Sequence, residues 1–320
     1  MKLTTGGFHH IALVTSDSSR SVSFYRDLLG LTVSDSTDRE SDEYRVFLGD
    51  EKGRPGTLLG LIQPVDPRRG KSGVGGIHHF ALGTSDDAAL LRWKRRLTDA
   101  GVPVSGPYDR GYFTSIYFKD PDGQIVEIAT EGPGYAIDEP AEALGKEVMF
   151  PPQRIIAGYR DEAAIAALTH GEHVDDITDE MRLSGLHHIS AISPGLDEAG
   201  AFYEEVLGLH LVKKTINRDS PDIPHWFWAN YAGGVIERGS AFTIFGAPPT
   251  WSNARAGTGQ THSVAFRTSD MESLLIWRDL LLNRGLDVSP VTAHGAFDSI
   301  YFHAPDGLQL QIATDLPGFG

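Results

Sequence analysis

Short apolar runs typical of strands alternate along the chain with amphipathic stretches typical of helices. In the first such unit, an apolar run that starts at His9 ends at the polar turn 15–17, which supplies a helix N-cap. Apolar residues then recur at helical spacing over 22–29, and Gly30 supplies a stop. β-rich segments separated by Asp-Gly or Gly-rich turns follow, as around Asp122 in the second unit. The pattern predicts a βαβββ unit.

This pattern occurs four times. The segment FTSIYFKDPDGQIVEIATEGPGY from Phe113 aligns without gaps with FDSIYFHAPDGLQLQIATDLPGF from Phe297, and the two agree at 13 of 23 positions. A second repeat pairs HHIALVTSDSSRSVSFYRDLLGL with HHISAISPGLDEAGAFYEEVLGL, and HHFALGTSD repeats the same opening. The chain is therefore a duplicated half with two modules in each half. The four modules begin near His9, His78, His187 and Thr261.

We expect an α+β fold with two domains and a connector. Modules one and two form the N-terminal domain, residues 1–137, and modules three and four form the C-terminal domain, residues 182–320. Residues 138–181 lie between them. Pro151-Pro152 blocks helix formation there, and some 40 residues are too few for an independent core. This segment is predicted to pack on the domains as a connector.

Composition narrows the function classes. The 320 residues include 28 Lys and Arg against 43 Asp and Glu, and the net charge of −15 argues against a protein that neutralises nucleic-acid phosphates. No apolar run approaches the ~18 to 20 residues that cross a bilayer, and residues 1–10 lack the basic and apolar regions of a signal peptide. We therefore expect a cytoplasmic protein with no nucleic-acid or membrane partner. The sequence leaves homo-oligomer formation open.

Histidine is the conspicuous chemical feature. There are 13 histidines and no cysteine, so any metal must be held by His, Asp, Glu or backbone oxygen. Six of the histidines form three adjacent pairs, at His9–His10, His78–His79 and His187–His188.

Four βαβββ modules with His-bearing opening strands resemble the vicinal oxygen chelate superfamily, which includes glyoxalase I, the bleomycin-resistance proteins and the extradiol ring-cleaving dioxygenases. Within it, the segments GIHHF, GLHHIS, DRGYFTSIYF, IVEIATEGPGY and ALGKEVMFPPQ resemble the hydroquinone-type ring-cleaving dioxygenases. The resemblance covers nearly the whole chain and implies two vicinal-oxygen-chelate domains. The ALGKEVMFPPQ motif usually follows the final module but stands mid-chain here, so the two halves look exchanged in order.

The resemblance also implies one metal between two facing modules, held by two histidines and a carboxylate that leave adjacent positions open for substrate and O₂. Modules two and three supply such a set. In the ungapped register of the repeat, Ser263 replaces His79 and Gln311 replaces Glu127, so modules one and four keep only His10. A carboxylate in an otherwise apolar strand is also costly to bury unpaired. The predicted metal ligands are His79, Glu127 and His188.

Two alternatives would give modules one and four a metal site of their own. A slip of one residue would place His262 at a ligand position, and glutamine can serve as a ligand in glyoxalases. Otherwise the second site, in modules one and four, is vestigial.

Further roles follow from the resemblance. His187 is the candidate for proton handling, and His78 either supports the ligands or stacks in the module interface. In a regular strand, each would face away from the ligand that follows it. Arg110 and Tyr117 correspond to a cation and a phenol that stabilise substrate oxyanion and bound oxygen. Ser190 is a candidate supporting hydroxyl on the ligand face. In the other repeat, Arg110 becomes His294 and Tyr117 persists as Tyr301, so Tyr117 is in part structural.

The first functional hypothesis is an iron(II)-dependent extradiol-type dioxygenase that acts on a hydroquinone- or catechol-like aromatic substrate and O₂, with manganese(II) or another divalent metal as the alternative cofactor. The second is a glyoxalase-like metal-dependent isomerase or lyase, which the lack of a second carboxylate near residues 243–245 disfavours. The third is a metal-free, drug-sequestering binding protein, which Glu127 disfavours. The aromatic run at 225–228 is more typical of core, although alternate members could line a ring site.

Overall fold

The computed structural model describes residues 3–36, 43–232 and 235–319. In chain order the strands are β1 (Phe8–Val14), β2 (Thr32–Ser36), β3 (Glu43–Gly49), β4 (Leu58–Pro64), β5 (Gly76–Thr84), β6 (Ser105–Asp109), β7 (Thr114–Lys119), β8 (Ile125–Thr130), β9 (Leu186–Ser193), β10 (His210–Ile216), β11 (Pro224–Ala229), β12 (Tyr231–Ala232), β13 (Val235–Ile236), β14 (Ala241–Gly246), β15 (Gln260–Thr268), β16 (Thr292–Ala293), β17 (Phe297–His303) and β18 (Gln309–Pro317).

Helices are fewer and shorter. The α-helices are α1 (Ser18–Ser23), α2 (Asp87–Asp99), α3 (Glu162–Ala167), α4 (Leu196–Glu205) and α5 (Met271–Asn283). A π-helical turn (Phe24–Leu28) continues α1, and short 3₁₀ turns occur at Ala141–Ala143, Gln153–Ile155 and Asp179–Met181. No helix in the described part of the chain has the length and apolar character needed to cross a bilayer.

The strands form two large mixed sheets. The first sheet has the order β16-β17-β18-β15-β1-β4-β3-β2 and joins modules one and four. The second has the order β10-β11-β14-β9-β5-β8-β7-β6 and joins modules two and three. The α+β fold of repeated βαβββ modules is therefore confirmed. The domain limits at 137 and 182 stay a prediction, and each sheet draws four strands from either side of the connector.

Helices α2 and α5 occupy equivalent places in modules two and four. The side chains of Asp86 and Asp270 cap them by accepting a backbone N–H three residues further on. Each helix buries leucines and one tryptophan, Trp93 or Trp277, in the core cluster shared by both sheets. Trp93 Nε1–H also donates to the Met181 carbonyl at 2.8 Å, which ties the segment 138–181 to α2. Matching positions of the repeat thus build matching parts of the core.

The segment 138–181 also follows the β10 edge of the second sheet. The backbone N–H groups of Met149 and Ala157 donate to the carbonyls of Lys214 and Arg218, each at 2.8 Å. Ile155 is buried beside them. This segment therefore closes one side of the second sheet.

Each opening strand contains a β-bulge at the first position of its histidine pair or at the equivalent residue. In the second sheet, Ile77 pairs with Ala191 and His79 with Ser190, so His78 is the extra residue. The bulged residues of the four modules are His9, His78, His187 and His262. The expectation that paired histidines face opposite ways is wrong, because a bulge turns two successive side chains toward the same side.

Candidate metal centre

Three side chains of the second sheet converge on one point. Ala81 in β5 has Glu127 of β8 on one side and His188 of β9 on the other. His79 lies two residues before Ala81 in the same strand and therefore on the same face. Glu127 Oε2 lies 3.0 Å from His79 Nε2 and 3.1 Å from His188 Nε2, and the two Nε2 atoms are 3.3 Å apart. The structure thus brings the three predicted ligands together.

Their geometry fits a metal ion. Adjacent ligands at metal–ligand bonds of about 2.1 Å in an octahedron are roughly 3.0 Å apart, which the three separations match. Glu127 is completely buried, and neither carboxylate oxygen has a well-aligned hydrogen bond within the described ranges. A buried carboxylate without donors is costly unless a cation neutralises it. Among the residues that the structure describes, only this cluster has three grouped ligands.

The protonation states also suit a metal. Burial lowers the pKa of His79, so its ring is neutral at pH 7. Burial alone would raise the pKa of Glu127, but His188 and His79 hold it well below its usual range. A neutral imidazole and an ionised carboxylate are the forms that bind a divalent ion.

The first histidine of each pair orients the ligand histidine. His187 and His188 face each other through their Nδ1 atoms at 2.9 Å, and His78 and His79 do so at 2.7 Å. The other nitrogen of His187 donates to the Thr130 carbonyl, so its Nδ1 accepts and the proton between the rings belongs to His188. This tautomer leaves the His188 Nε2 lone pair pointing at the site. Burial lowers the pKa of His187 to about 3, which keeps it neutral.

A cavity of about 390 Å³ opens on the two histidine ligands, His79 and His188, with the buried Glu127 beside them. Tyr117 pairs with Glu127 across β7 and β8, and its ring lies 5.7 Å from that of His79. The Arg110 guanidinium carbon lies 5.0 Å from the Tyr117 ring centre, and Nη1 lies 3.0 Å from Asp219 Oδ2. Burial raises the pKa of Tyr117, so the phenol keeps its proton. All eight predicted site residues therefore lie in or beside one site.

A chain of polar groups extends from the ligands into the cavity. Ser190 Oγ lies 3.0 Å from His79 Nε2 and 2.6 Å from Thr243 Oγ1, and Thr243 Oγ1 lies 2.8 Å from His225 Nε2. Thr243 pairs with Ser190 as Glu127 pairs with Ala81, so it holds the place symmetric to Glu127. Burial lowers the pKa of His225 well below its usual range.

Several lining residues were missed from the sequence. Arg218 and Asp219 are among them, and neither belongs to a paired-histidine motif or to the repeat around Glu127. His225 lies in the run 225–228, which was interpreted as more typical of core although alternate members could line a ring site. One available signal was strand alternation over 225–228. It places His225 and Phe227 on the cavity side, whereas Trp228 packs into the core cluster shared by both sheets.

The first sheet preserves the register but lacks the ligands. Ala265 pairs with His10 and Gln311, as Ala81 pairs with His188 and Glu127, so the ungapped alignment holds and His262 is not shifted to a ligand position. The amide atoms of Gln311 are buried without a hydrogen-bond partner in the described part of the chain. Rings of Phe47 and Phe297 pack 5.5 and 5.2 Å from the His10 ring.

The family description Glyoxalase/Bleomycin resistance protein/Dioxygenase superfamily matches residues 7–128 and 185–312. A Bacillus subtilis (strain 168) protein named "Putative ring-cleaving dioxygenase MhqA" is 25% identical over an alignment of 324 residues, which covers 99% of this chain and 89% of the relative. The Chlorohydroquinone/hydroquinone 1,2-dioxygenase of Sphingobium indicum is 24% identical, over 97% of this chain and 85% of that protein.

Solved structures share the fold. A crystal structure titled "putative dioxygenase" from Bacillus subtilis superposes with a TM-score of 0.75 at 24% identity, covering 99% of this chain and 87% of that one. Glyoxalase I from Zea mays gives a TM-score of 0.63 at 17% identity, covering 97% and 92%.

Proposed function

We propose a function on the premise that this chain belongs to the Glyoxalase/Bleomycin resistance protein/Dioxygenase superfamily, whose description matches both halves and confirms the resemblance drawn from the sequence. The function is ring cleavage of a hydroquinone- or catechol-like aromatic by O₂, dependent on a divalent metal. Relatives named as ring-cleaving dioxygenases, one of them a hydroquinone dioxygenase, support it. The observation that carries it is the cluster His79, Glu127 and His188, whose two histidines line a cavity of about 390 Å³.

We assign iron(II), with manganese(II) as the alternative, to the Nε2 atoms of His79 and His188 and to the Glu127 carboxylate. When bound by these residues, such an ion would supply the redox chemistry that lets the deprotonated diol and O₂ react together. His187 and His78 act in this proposal by orienting the ligand rings. The equivalent pair His9–His10 shows the same contact at 2.8 Å, so this arrangement belongs to the ancestral module.

The remaining residues handle charge and protons. Arg110 stabilises negative charge that develops on the substrate oxygen, and Tyr117, a protonated phenol, donates a hydrogen bond there. His225 is neutral and accepts a proton from the substrate hydroxyl, while the hydroxyl groups of Ser190 and Thr243 lie between it and the ligands. Each of these groups lines or borders the same cavity.

The cavity wall suits a planar ring. Phe113, Phe227 and Phe245 line it beside the ligands, and Trp251 stands at the same cavity. Phe245 stacks on the His225 ring at 4.0 Å and 28°. Aromatic walls favour an aromatic substrate and exclude water from the charged intermediates.

The glyoxalase-like alternative lacks support at one position. A four-ligand site would need a second carboxylate at the place symmetric to Glu127, where this chain has Thr243. The metal-free alternative leaves the buried Glu127 without compensation. The dioxygenase therefore remains the proposal.

The test combines metal analysis with oxygen uptake. Protein purified without added metal is analysed for bound ions, loaded anaerobically with iron(II) and assayed in an oxygen electrode with hydroquinone and catechol. Glu127→Gln removes the carboxylate, and Gln311→Glu makes the reverse change in the first sheet as the matched control. We expect one metal per wild-type or control chain, O₂ uptake with an aromatic diol, and neither in Glu127→Gln. One bound iron with no uptake from any hydroquinone or catechol would overturn the proposal.

A further inference from the structure

Two buried arginines line the cavity, and they differ in how their charge is balanced. The Arg110 guanidinium has a carboxylate partner, since its Nη1 lies 3.0 Å from Asp219 Oδ2. Asp219 also lies 2.8 Å from Arg160 Nη1, and Arg160 Nε lies 2.6 Å from Glu162 Oε1, so Asp219 and Glu162 together balance Arg110 and Arg160. Arg218, next in sequence to Asp219, is 5% exposed and lines the same cavity.

Arg218 differs, because it has no anionic partner within the described part of the chain. Across residues 3–36, 43–232 and 235–319, no carboxylate lies within 4.0 Å of its guanidinium. Nη1 donates to the Ile216 carbonyl at 3.3 Å, Nε is buried without a hydrogen-bond partner in the described chain, and the guanidinium carbon lies 4.6 Å from the Tyr112 ring centre. Carbonyl and ring contacts orient this cation but do not neutralise it.

The backbone holds Arg218 in place. Its carbonyl accepts the Ala157 N–H at 2.8 Å, and the neighbouring Asn217 N–H donates to the Ile223 carbonyl at 2.8 Å. The side chain therefore projects from a turn that backbone hydrogen bonds hold in place. Besides burial, the largest influence that lowers the pKa of His225 is the charge of Arg218, so that charge reaches the cavity.

A buried guanidinium without a counter-ion is costly, whereas one that meets a carboxylate in a water-excluded cavity binds it strongly and in two-pronged geometry. We propose that Arg218 binds a carboxylate on the substrate ring, so that the preferred substrate is an aromatic diol bearing an anionic substituent. This inference deepens the proposed function and rests on it. Arg110, already paired with Asp219, remains for the diol oxygen near the ligands.

Anaerobic calorimetry on the iron-loaded protein tests the proposal without turnover. The probes are catechol, 3,4-dihydroxybenzoate and its methyl ester, which is one methyl group larger than the carboxylate and carries no charge. The variants are Arg218→Met, Arg218→Lys and, as a control for lost charge, Arg68→Met at an exposed position outside the cavity. Arg218→Met should weaken dihydroxybenzoate binding by about 10- to 100-fold and change catechol and ester binding by less than about threefold.

Arg218→Lys should recover part of the carboxylate affinity, and Arg68→Met should change none of the three. Arg218→Met should melt no lower than wild type without ligand, because it removes an unbalanced buried charge. Equal weakening of all three probes, or no wild-type preference for the carboxylate over its ester, would overturn the proposal. If the protein selects the carboxylate but takes up no O₂, the anion site stands and the dioxygenase function fails. If it takes up O₂ without selecting the carboxylate, the dioxygenase function stands and the anion site fails.

Discussion

Replacing Glu127 by Gln should stabilise the metal-free protein and abolish the further stabilisation that bound metal gives wild type. The substitution keeps the side-chain shape, removes one charge and copies Gln311 of the first sheet. In wild type the buried carboxylate faces the Nε2 atoms of His79 and His188 at 3.0 and 3.1 Å. Neither oxygen of this carboxylate has a well-aligned hydrogen bond in the described part of the chain, so its buried charge is poorly compensated until a cation binds.

The substitution should change the stability of the metal-free protein and its stabilisation by metal in opposite directions. A buried polar group without a partner costs about 1–3 kcal/mol, so the metal-free variant should be more stable than metal-free wild type by that amount. Because 1 kcal/mol shifts Tm by about 2–4 °C in domains of 150–250 residues, Tm should rise by roughly 2–12 °C. Metal at a hundredfold its Kd stabilises wild type by about 2.7 kcal/mol, and the variant should lose this gain.

Calorimetric melting of chelator-treated and manganese-loaded samples measures both effects. Gln311→Glu is the matched control. It buries a carboxylate where histidine ligands are missing, so it should lower the metal-free Tm and gain no metal dependence beyond that of wild type. The reasoning is refuted if Glu127→Gln melts lower than wild type without metal and still shifts upward when metal is added.

Three further predictions follow from other contacts. Thr243→Val should interrupt the path to His225 and lower kcat for ring cleavage by about 10- to 100-fold with unchanged metal affinity, and equal kcat in an oxygen-electrode assay would contradict it. Gln311→Glu combined with Ser263→His should give a second metal equivalent by elemental analysis, because both residues stand at ligand positions of the same register. Asp122→Ala should cost about 2–3 kcal/mol in denaturant unfolding, since this buried carboxylate accepts hydrogen bonds from the 15–17 turn and a charged contact from α1. Burial alone would raise the pKa of Asp122, but those hydrogen bonds hold it below the usual range. Its contribution should therefore be full above the unfolded-state pKa of about 4 and lost as the pH falls through the lower folded value, and an unchanged acid profile in the variant would contradict this.

The repeat made the modules and their pairing predictable. Residues around Glu127 and Gln311 agree at 13 of 23 positions, so one register served both copies and showed which copy had kept its carboxylate. The same comparison separated His79 from Ser263. The pairing of modules two and three then followed, because these two modules contain His79, Glu127 and His188.

The bulges were not predictable from one strand. Consecutive histidines in a regular strand point to opposite faces, and the extra residue is recognisable only from the partner register across β5 and β9. The bulge brings the Nδ1 atoms of His78 and His79 together, and this contact assigns the first histidine an orienting position.

The residues that distant strand pairing brings to the site were only partly predictable from the sequence. Positions 243–245 and alternate members of 225–228 were candidates for the site, but their contacts were not predicted. His225 enters the site because β11 pairs with β14, and Thr243 reaches it because β14 pairs with β9. Arg218 and Asp219 lie in the loop between β10 and β11, which has no recognisable motif. Long-range strand pairing, rather than local pattern, decided which of these side chains meet the ligands.

The central claim is that the cluster His79, Glu127 and His188 supports ring cleavage by O₂. Its most direct test supplies ¹⁸O₂ to the iron-loaded protein with a hydroquinone or catechol and measures the product by mass spectrometry. We expect wild type to form a ring-opened acid in which both atoms of one O₂ have been added to the substrate, and we expect Glu127→Gln to form none. A quinone without label, or no product from a chain that holds one iron, would contradict it.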